Sequence, residues 1–189
     1  SNIEVIEIVG DGTDQHVTDI IIGSRQISKN GQCKTVILVA IRGTGNSALR
    51  EGSKVMEWSS NFDIGCDSIY EGTGLIPHNP DWMIEENHMG FDIAATRVIA
   101  AINQYINTYG IDTDNSVLWF TGHSRGAGIS NVVGARVGNK AIESENDYDN
   151  EYICESYVYT FASPRTTVID EGVAKSYDYI FNIVNVTII

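Results

Sequence analysis

The residues with the plainest chemical meaning are Gly122-His123-Ser124-Arg125-Gly126, a Gly-x-Ser-x-Gly set placed where an apolar run stops and a helical pattern starts. Ser116-Val117-Leu118-Trp119-Phe120-Thr121 has the continuous apolar character of a strand buried on both faces of a parallel sheet. From Arg125 to about Val137, Ile129, Val132, Val133 and Val137 fall on one helical face. A serine at such a joint sits on a turn tight enough to strain its own backbone, and small residues two positions to either side prevent collision with strand and helix. The chemistry this suits is nucleophilic attack on an acyl carbonyl. The hydroxyl stands at a helix N-terminus, where the dipole and the outward-pointing N–H groups favour the negative charge developing on the carbonyl oxygen. The Arg125 N–H is the natural first donor to that oxyanion. In a chain with 18 glycines the pattern also arises by chance, so its place at a strand-to-helix joint carries more weight than the pattern itself. The alternative is a glycine-rich turn without chemistry.

The elements that must hold this turn can be traced on either side of it. Ile20-Ile21-Ile22 and Thr35 to Ile41 are β-branched runs separated by Lys29-Asn30-Gly31-Gln32, and Asn-Gly between such runs predicts a hairpin. The second run continues into Arg42-Gly43-Thr44-Gly45, a flexible, hydroxyl-bearing loop from which a second oxyanion donor would come. Phe91, Ala94, Val98, Ile102, Tyr105 and Tyr109 recur at helical spacing, with Gly110 as the C-terminal stop. The acidic stretch from Glu143 to Glu151 reads as a solvated loop, and Ser156 to Phe161 and Tyr179 to Val184 are further strands. Strands, helix, strand, helix, strand, strand is an α/β order. Its 189 residues and 42% hydrophobic content fit one domain with one core, and no repeat or linker divides it.

Composition narrows the partners. Lys and Arg number 12 against 25 Asp and Glu, a net charge of −13, which repels phosphate backbones and anionic headgroups and sets nucleic acid aside. Any lipid contact has to be apolar or zwitterionic. Cys33, Cys66 and Cys154 lack the short paired spacings of a zinc site or redox dithiol and read as isolated thiols, with one bridge plus one thiol as the arrangement left open. No metal or cofactor is implied. No apolar run is long enough to cross a bilayer, and the opening Ser1-Asn2 does not begin a signal peptide, although a leader removed upstream would leave the same start.

Together the segments resemble the class 3 lipase family of α/β-hydrolases. The resemblance runs through Arg42-Gly43-Thr44, Glu57-Trp58-Ser59-Ser60-Asn61-Phe62-Asp63, His88-Met89-Gly90-Phe91, Thr121 to Ala127, Phe161-Ala162-Ser163-Pro164-Arg165 and Phe181-Asn182-Ile183-Val184-Asn185. Each segment is weak alone, and the ordered set is specific. The resemblance implies an α/β-hydrolase-like fold with a mostly parallel central sheet flanked by helices. It makes Ser124 the nucleophile, and gives the hydroxyl and N–H of Thr44 to the oxyanion beside the Arg125 N–H. Such donors are worth about 3 to 4 kcal/mol each. Thr44 as a simple turn residue is the alternative. Arg42 reads as structural, with Asp63 a reasonable carboxylate partner.

A serine nucleophile also needs a base and an acid that orients it, in the order Ser, Asp or Glu, His for this class. The resemblance leads to an acid soon after Val184-Asn185, yet the chain reads Val186-Thr187-Ile188-Ile189, with Ile188 in the acid's place. One Asp between Thr187 and Ile188 would restore the pattern. No histidine follows Ser124. Of the four present, His123 reads as a packing residue turned away by the elbow, His88 as structural, and His16 and His78 as solvated. The expectation is a single domain over 1–189 that lacks its C-terminal part, with the acid and base not identifiable.

Gly45 to Glu57, and Cys66 to Asn87 with its Trp82 and Met83, read either as a lid and mouth for an acyl chain or as ordinary surface excursions. Three functions remain open. The leading one is a carboxylic ester hydrolase acting through an acyl-serine. The others are a hydrolase-fold binding protein without catalysis, and a hydrolase of amides or thioesters. The substrate class expected is an acyl ester or lipid.

Overall fold

The computed structural model describes residues 2–8, 18–29, 31–44, 85–87, 89–143, 155–164, 166–169 and 177–184. Strands β2 (Thr18–Lys29) and β3 (Gln32–Ile41) form the expected hairpin, antiparallel with Lys29 opposite Gln32. The turn between them needs a left-handed residue, and Gly31 supplies it at φ 79°. An earlier strand, β1 (Asn2–Ile8), pairs antiparallel with β2.

Helix α1 (Met89–Tyr109) has its apolar positions at helical spacing and ends in a Schellman arrangement. Gly110 takes φ 56°, its N–H donates to the Asn107 carbonyl, and the Ile111 N–H donates to the Ile106 carbonyl. Strand β5 (Ser116–His123) then pairs parallel with β3, helix α2 (Arg125–Glu143) follows, and β6 (Glu155–Phe161) and β8 (Ile180–Ile183) extend the parallel part. The sheet order is β1-β2-β3-β5-β6-β8. Two short strands, β4 (Glu85–Asn87) and β7 (Thr167–Ile169), form a separate antiparallel pair.

Parallel neighbours joined by right-handed crossovers that advance in one direction put their helices on one side of the sheet. A single core accordingly gathers Ile20, Ile22, Ile37, Val39, Leu118, Phe120 and Val158 with Ala94, Val98 and Ile102 of α1 and Ile129, Val132 and Val133 of α2. The helices are also tied together where Arg136 pairs with Asp92 and donates to the Thr96 hydroxyl at 2.7 Å.

The mostly parallel α/β architecture agrees with the sequence, with one correction. Among the described residues both helices cover the same face, so β5 is not buried on both sides. Trp119 is 44% exposed on the other side, opposite Leu38 of β3 and on the same side as Phe181 of β8, both exposed. The open side protects itself in part by ring packing. Tyr159 lies between Trp119 and Phe181 with centroid separations of 5.8 and 4.8 Å. Cys33 is an exposed free thiol on β3.

Candidate active site

Strand β5 ends at His123 and α2 begins at Arg125, which leaves Ser124 alone on the turn between them. Its φ is 55°, a left-handed conformation that costs a residue with a Cβ about 1 kcal/mol or more. The turn is held by its own backbone. The Ser124 N–H donates to the Phe161 carbonyl at 3.0 Å, and the Ser124 carbonyl accepts from the N–H groups of Ala127 (2.9 Å) and Gly128 (3.1 Å).

The two motif glycines are dictated by close backbone approach. A methyl group on Gly122 would sit 2.3 Å from the Gly126 carbonyl oxygen, and one on Gly126 would sit 2.2 Å from the Ile41 carbonyl oxygen. Neither neighbour is a side chain that can swing aside. The start of α2 is thereby pressed against the end of β3. Beyond Ile41 the chain passes over the elbow, for a methyl on Gly43 would lie 2.6 Å from the His123 carbonyl oxygen and 3.7 Å from Ser124 Cβ. Thr44 is the next residue and is half-buried, so the structure brings the Thr44 segment, Ser124 and Arg125 to one place. Ser124 is exposed to an approaching ligand, whereas Arg125 is buried at 2%. The residue that presents its N–H at the head of α2 thus sends its side chain inward.

Arg42 is structural, as expected, through a partner that sequence reasoning missed. Its guanidinium pairs with the Asp19 carboxylate, and its backbone N–H donates to the Asp19 carbonyl at 3.0 Å. Counting the hairpin register back from Asn30-Gly31 would have placed Asp19 opposite Arg42. Asp63 lies outside the described residues, as do His16, His78, His88, the stretch from Gly45 to Glu57, and most of Cys66 to Asn87, of which Glu85–Asn87 forms β4. His123 corrects another expectation. It is exposed at the end of β5 on the open side of the sheet rather than packed.

A second unusual backbone adjoins the first. Ala162, directly after β6, has φ 50°, and its N–H donates to the Ile183 carbonyl at 3.0 Å. Among the described residues, Ser124 and Ala162 are the non-glycine positions with positive φ.

Elsewhere, a crevice of about 360 Å³ lined by Asn2, Arg25, Thr35 and Asp112 lies at the start of β5, the opposite end of the strand from Ser124. Among the described residues no group of three or more His, Cys, Asp or Glu is placed to hold a metal ion. No described helix is long and apolar enough to cross a membrane.

No curated protein matches the chain. Solved structures do. Lip2 lipase from Yarrowia lipolytica is 14% identical with a TM-score of 0.44, over 88% of this chain and 48% of that one. Rhizomucor miehei triacylglyceride lipase is 16% identical with a TM-score of 0.41, over 86% and 50%. The lipase from Rhizopus microsporus var. chinensis is 15% identical with a TM-score of 0.41, over 87% and 46%. The chain spans about half the length of these lipases. The sequence description of one family, Lipase (class 3), matches residues 38–187, which takes in the end of β3, the elbow, α2 and β8. By that match the chain belongs to the class 3 lipase family.

Proposed function

We propose that the protein is a serine carboxylic ester hydrolase that acts on acyl esters of the lipid type through an acyl-serine intermediate. The observation that carries this reading is Ser124 at φ 55° between β5 and α2, with the Gly43–Thr44 segment lying against the elbow. Membership of the class 3 lipase family supports the ester as the bond attacked.

In this reading the Ser124 hydroxyl oxygen adds to the acyl carbonyl and gives up its proton to a base. The carbonyl oxygen becomes an oxyanion that accepts from the Arg125 N–H at the head of α2 and from the N–H and hydroxyl of Thr44. Collapse of the tetrahedral adduct breaks the ester C–O bond, and the alcohol leaves with the proton the base took. Water then adds to the acyl-serine, passes its proton to the same base, and releases the carboxylic acid as Ser124 regains its hydrogen. The base and its orienting acid belong, in this reading, to residues outside those described.

One sequence feature favours a second reading, a hydrolase-fold binding protein. Ile188 stands where the family resemblance places an acid. The strained Ser124 and the close Gly43 approach weigh the other way, since a binding scaffold has no need of either.

The test is hydrolysis of p-nitrophenyl esters of short and long acyl chains, beside matched anilides and thioesters, by the full natural chain and its Ser124→Ala variant. Ester turnover abolished by Ser124→Ala is the expected result. Preferential anilide or thioester cleavage would reassign the bond, and a folded protein without turnover would leave the binding scaffold.

A further inference from the structure

Two turns along α2 from the nucleophile, a polar cluster interrupts an otherwise apolar helix–sheet contact. Asn131 donates through Nδ2 to the Ser163 hydroxyl at 2.9 Å and to Asn182 Oδ1 at 2.8 Å. Thr160, fully buried on β6, donates to the same Asn182 Oδ1 at 2.5 Å and lies 3.4 Å from Asn131 Oδ1. Ser163 completes the set by donating to the Pro164 carbonyl at 3.0 Å. Four side chains from α2, the end of β6, the turn after it and β8 are therefore joined at the end of the sheet that carries Ser124.

Backbone bonds close this cluster into a ring that includes the elbow. The Ser124 N–H donates to the Phe161 carbonyl, and the Ala162 N–H donates to the Ile183 carbonyl, which steps the linkage across from β5 to β6 to β8. The path returns through Asn182 and Ser163 to Asn131, and along α2 to Ser124. A part-buried polar network adds little net stability over apolar packing, but when its members are satisfied it holds one arrangement of the elements it joins. What it holds here is α2 against the ends of β6 and β8, with the strained residues Ser124 and Ala162 between.

We infer that Asn131 and Asn182 are positioning residues for Ser124, joined across the ends of β6 and β8 so that the elbow stays fixed on the sheet. This rests on the hydrolase reading for its catalytic consequence. A nucleophile misplaced by a fraction of an ångström loses rate while binding is largely kept. The roles of the two amides differ. Asn182 accepts through Oδ1 in both of its bonds and is exposed on its outer side, so Asp at that position keeps both, whereas Leu keeps neither.

The experiment uses the full natural chain with Asn131→Leu, Asn182→Leu and Asn182→Asp. It measures kcat and KM on a short acyl ester well below each melting temperature, and amide hydrogen exchange at Ser124. Expected is a fall in kcat of about tenfold to a hundredfold in both Leu variants. KM should stay within about twofold, exchange at Ser124 should be about tenfold faster, and Asn182→Asp should stay close to the parent, the linkage being kept. A merely structural role would lower the melting temperature without the kcat split or the Asp rescue. Leu variants with parental kcat and parental exchange overturn the proposal, as does an Asp variant as impaired as Leu. If Asn131→Leu does not fold, Asn182→Leu on β8 decides alone. If the parent chain hydrolyses nothing, the hydrolase reading fails separately. The bracing is then judged on exchange, where equal rates at Ser124 in parent and Leu variants overturn it.

Discussion

The N–H of Ser124 donates to the carbonyl of Phe161 at 3.0 Å, and this bond sets two left-handed residues side by side, Ser124 at the end of β5 and Ala162 at the end of β6. Both strands thus end in a conformation that their sequence does not favour, on the rim where the Thr44 segment also arrives. Ser124 requires its conformation to project from the strand-to-helix turn. Ala162 bears a Cβ where glycine would be unstrained. Replacing Ala162 by Gly relieves about 1 to 2 kcal/mol of strain against about 0.5 to 1 kcal/mol of added unfolded-chain entropy. Ala162→Gly is accordingly expected to raise stability by about 0.5 to 1 kcal/mol in urea unfolding, and a lowered midpoint would show that Ala162 is not strained.

The glycines of the elbow and of the helix stop answer to different constraints and should fail to different degrees. Gly126→Ala puts a methyl 2.2 Å from the Ile41 carbonyl oxygen, so α2 or β3 has to move, with an expected loss above about 3 kcal/mol. Gly110→Ala meets no atom within 4 Å and suffers only from its φ of 56°, so the expected loss is about 1 kcal/mol. Urea midpoints for the two variants check the order, and equal losses would mean that the elbow yields to a methyl group between Gly126 and Ile41.

What could be read in the sequence divides along the line between local and long-range signals. The Asn30-Gly31 hairpin, the Gly110 stop and the elbow rest on residues adjacent in the chain, and each was legible. Strand β1 was not, because its apolar residues are divided between the two faces of the sheet, with Ile6 packed against the core. Ile3 and Val5 are 74% and 76% exposed on the open side of the sheet, while Glu4 faces α1 and accepts from the Tyr109 hydroxyl. The run Val117 to Phe120 concealed which of its residues faces the helices, since Trp119 is as apolar as its neighbours. The Asn131 cluster was invisible for another reason. Asn131, Thr160, Ser163 and Asn182 meet only through the parallel register of β6 and β8, and no spacing along the chain foretells that.

Thr44 gives a direct test of the oxyanion assignment. Thr44→Val keeps the shape and the backbone N–H and removes the hydroxyl. The expected effect in the full natural chain is a fall in kcat of about a hundredfold to a thousandfold, with KM changed little. Initial rates on a short acyl ester measure it, and an unchanged kcat would remove the Thr44 hydroxyl from the oxyanion site.

Tyr179 should make stability depend on pH at the alkaline end. Burial, and then the neighbouring Tyr177, push its hydroxyl from 10.0 up to about 12. The fold therefore holds the neutral form. Its contribution is fully present below pH 10.0 and is lost as pH rises toward about 12, because the unfolded chain ionises first. The hydroxyl is also buried without a hydrogen-bond partner among the described residues. Tyr179→Phe is expected to cost nothing at neutral pH, to gain up to about 1 kcal/mol, and to flatten the alkaline decline. Urea unfolding at pH 7 and pH 10.5 checks both, and an unaltered slope would mean that Tyr179 is not the group responsible.

Whether Ser124 works as a nucleophile is read from covalent labelling by a fluorophosphonate. The full natural chain is treated with the probe beside its Ser124→Ala variant, and the modified peptide is located by mass spectrometry. The expected result is one adduct, on Ser124, that is absent from the folded Ser124→Ala protein. A folded parent chain that stays unlabelled, or a label that persists in Ser124→Ala, would contradict it.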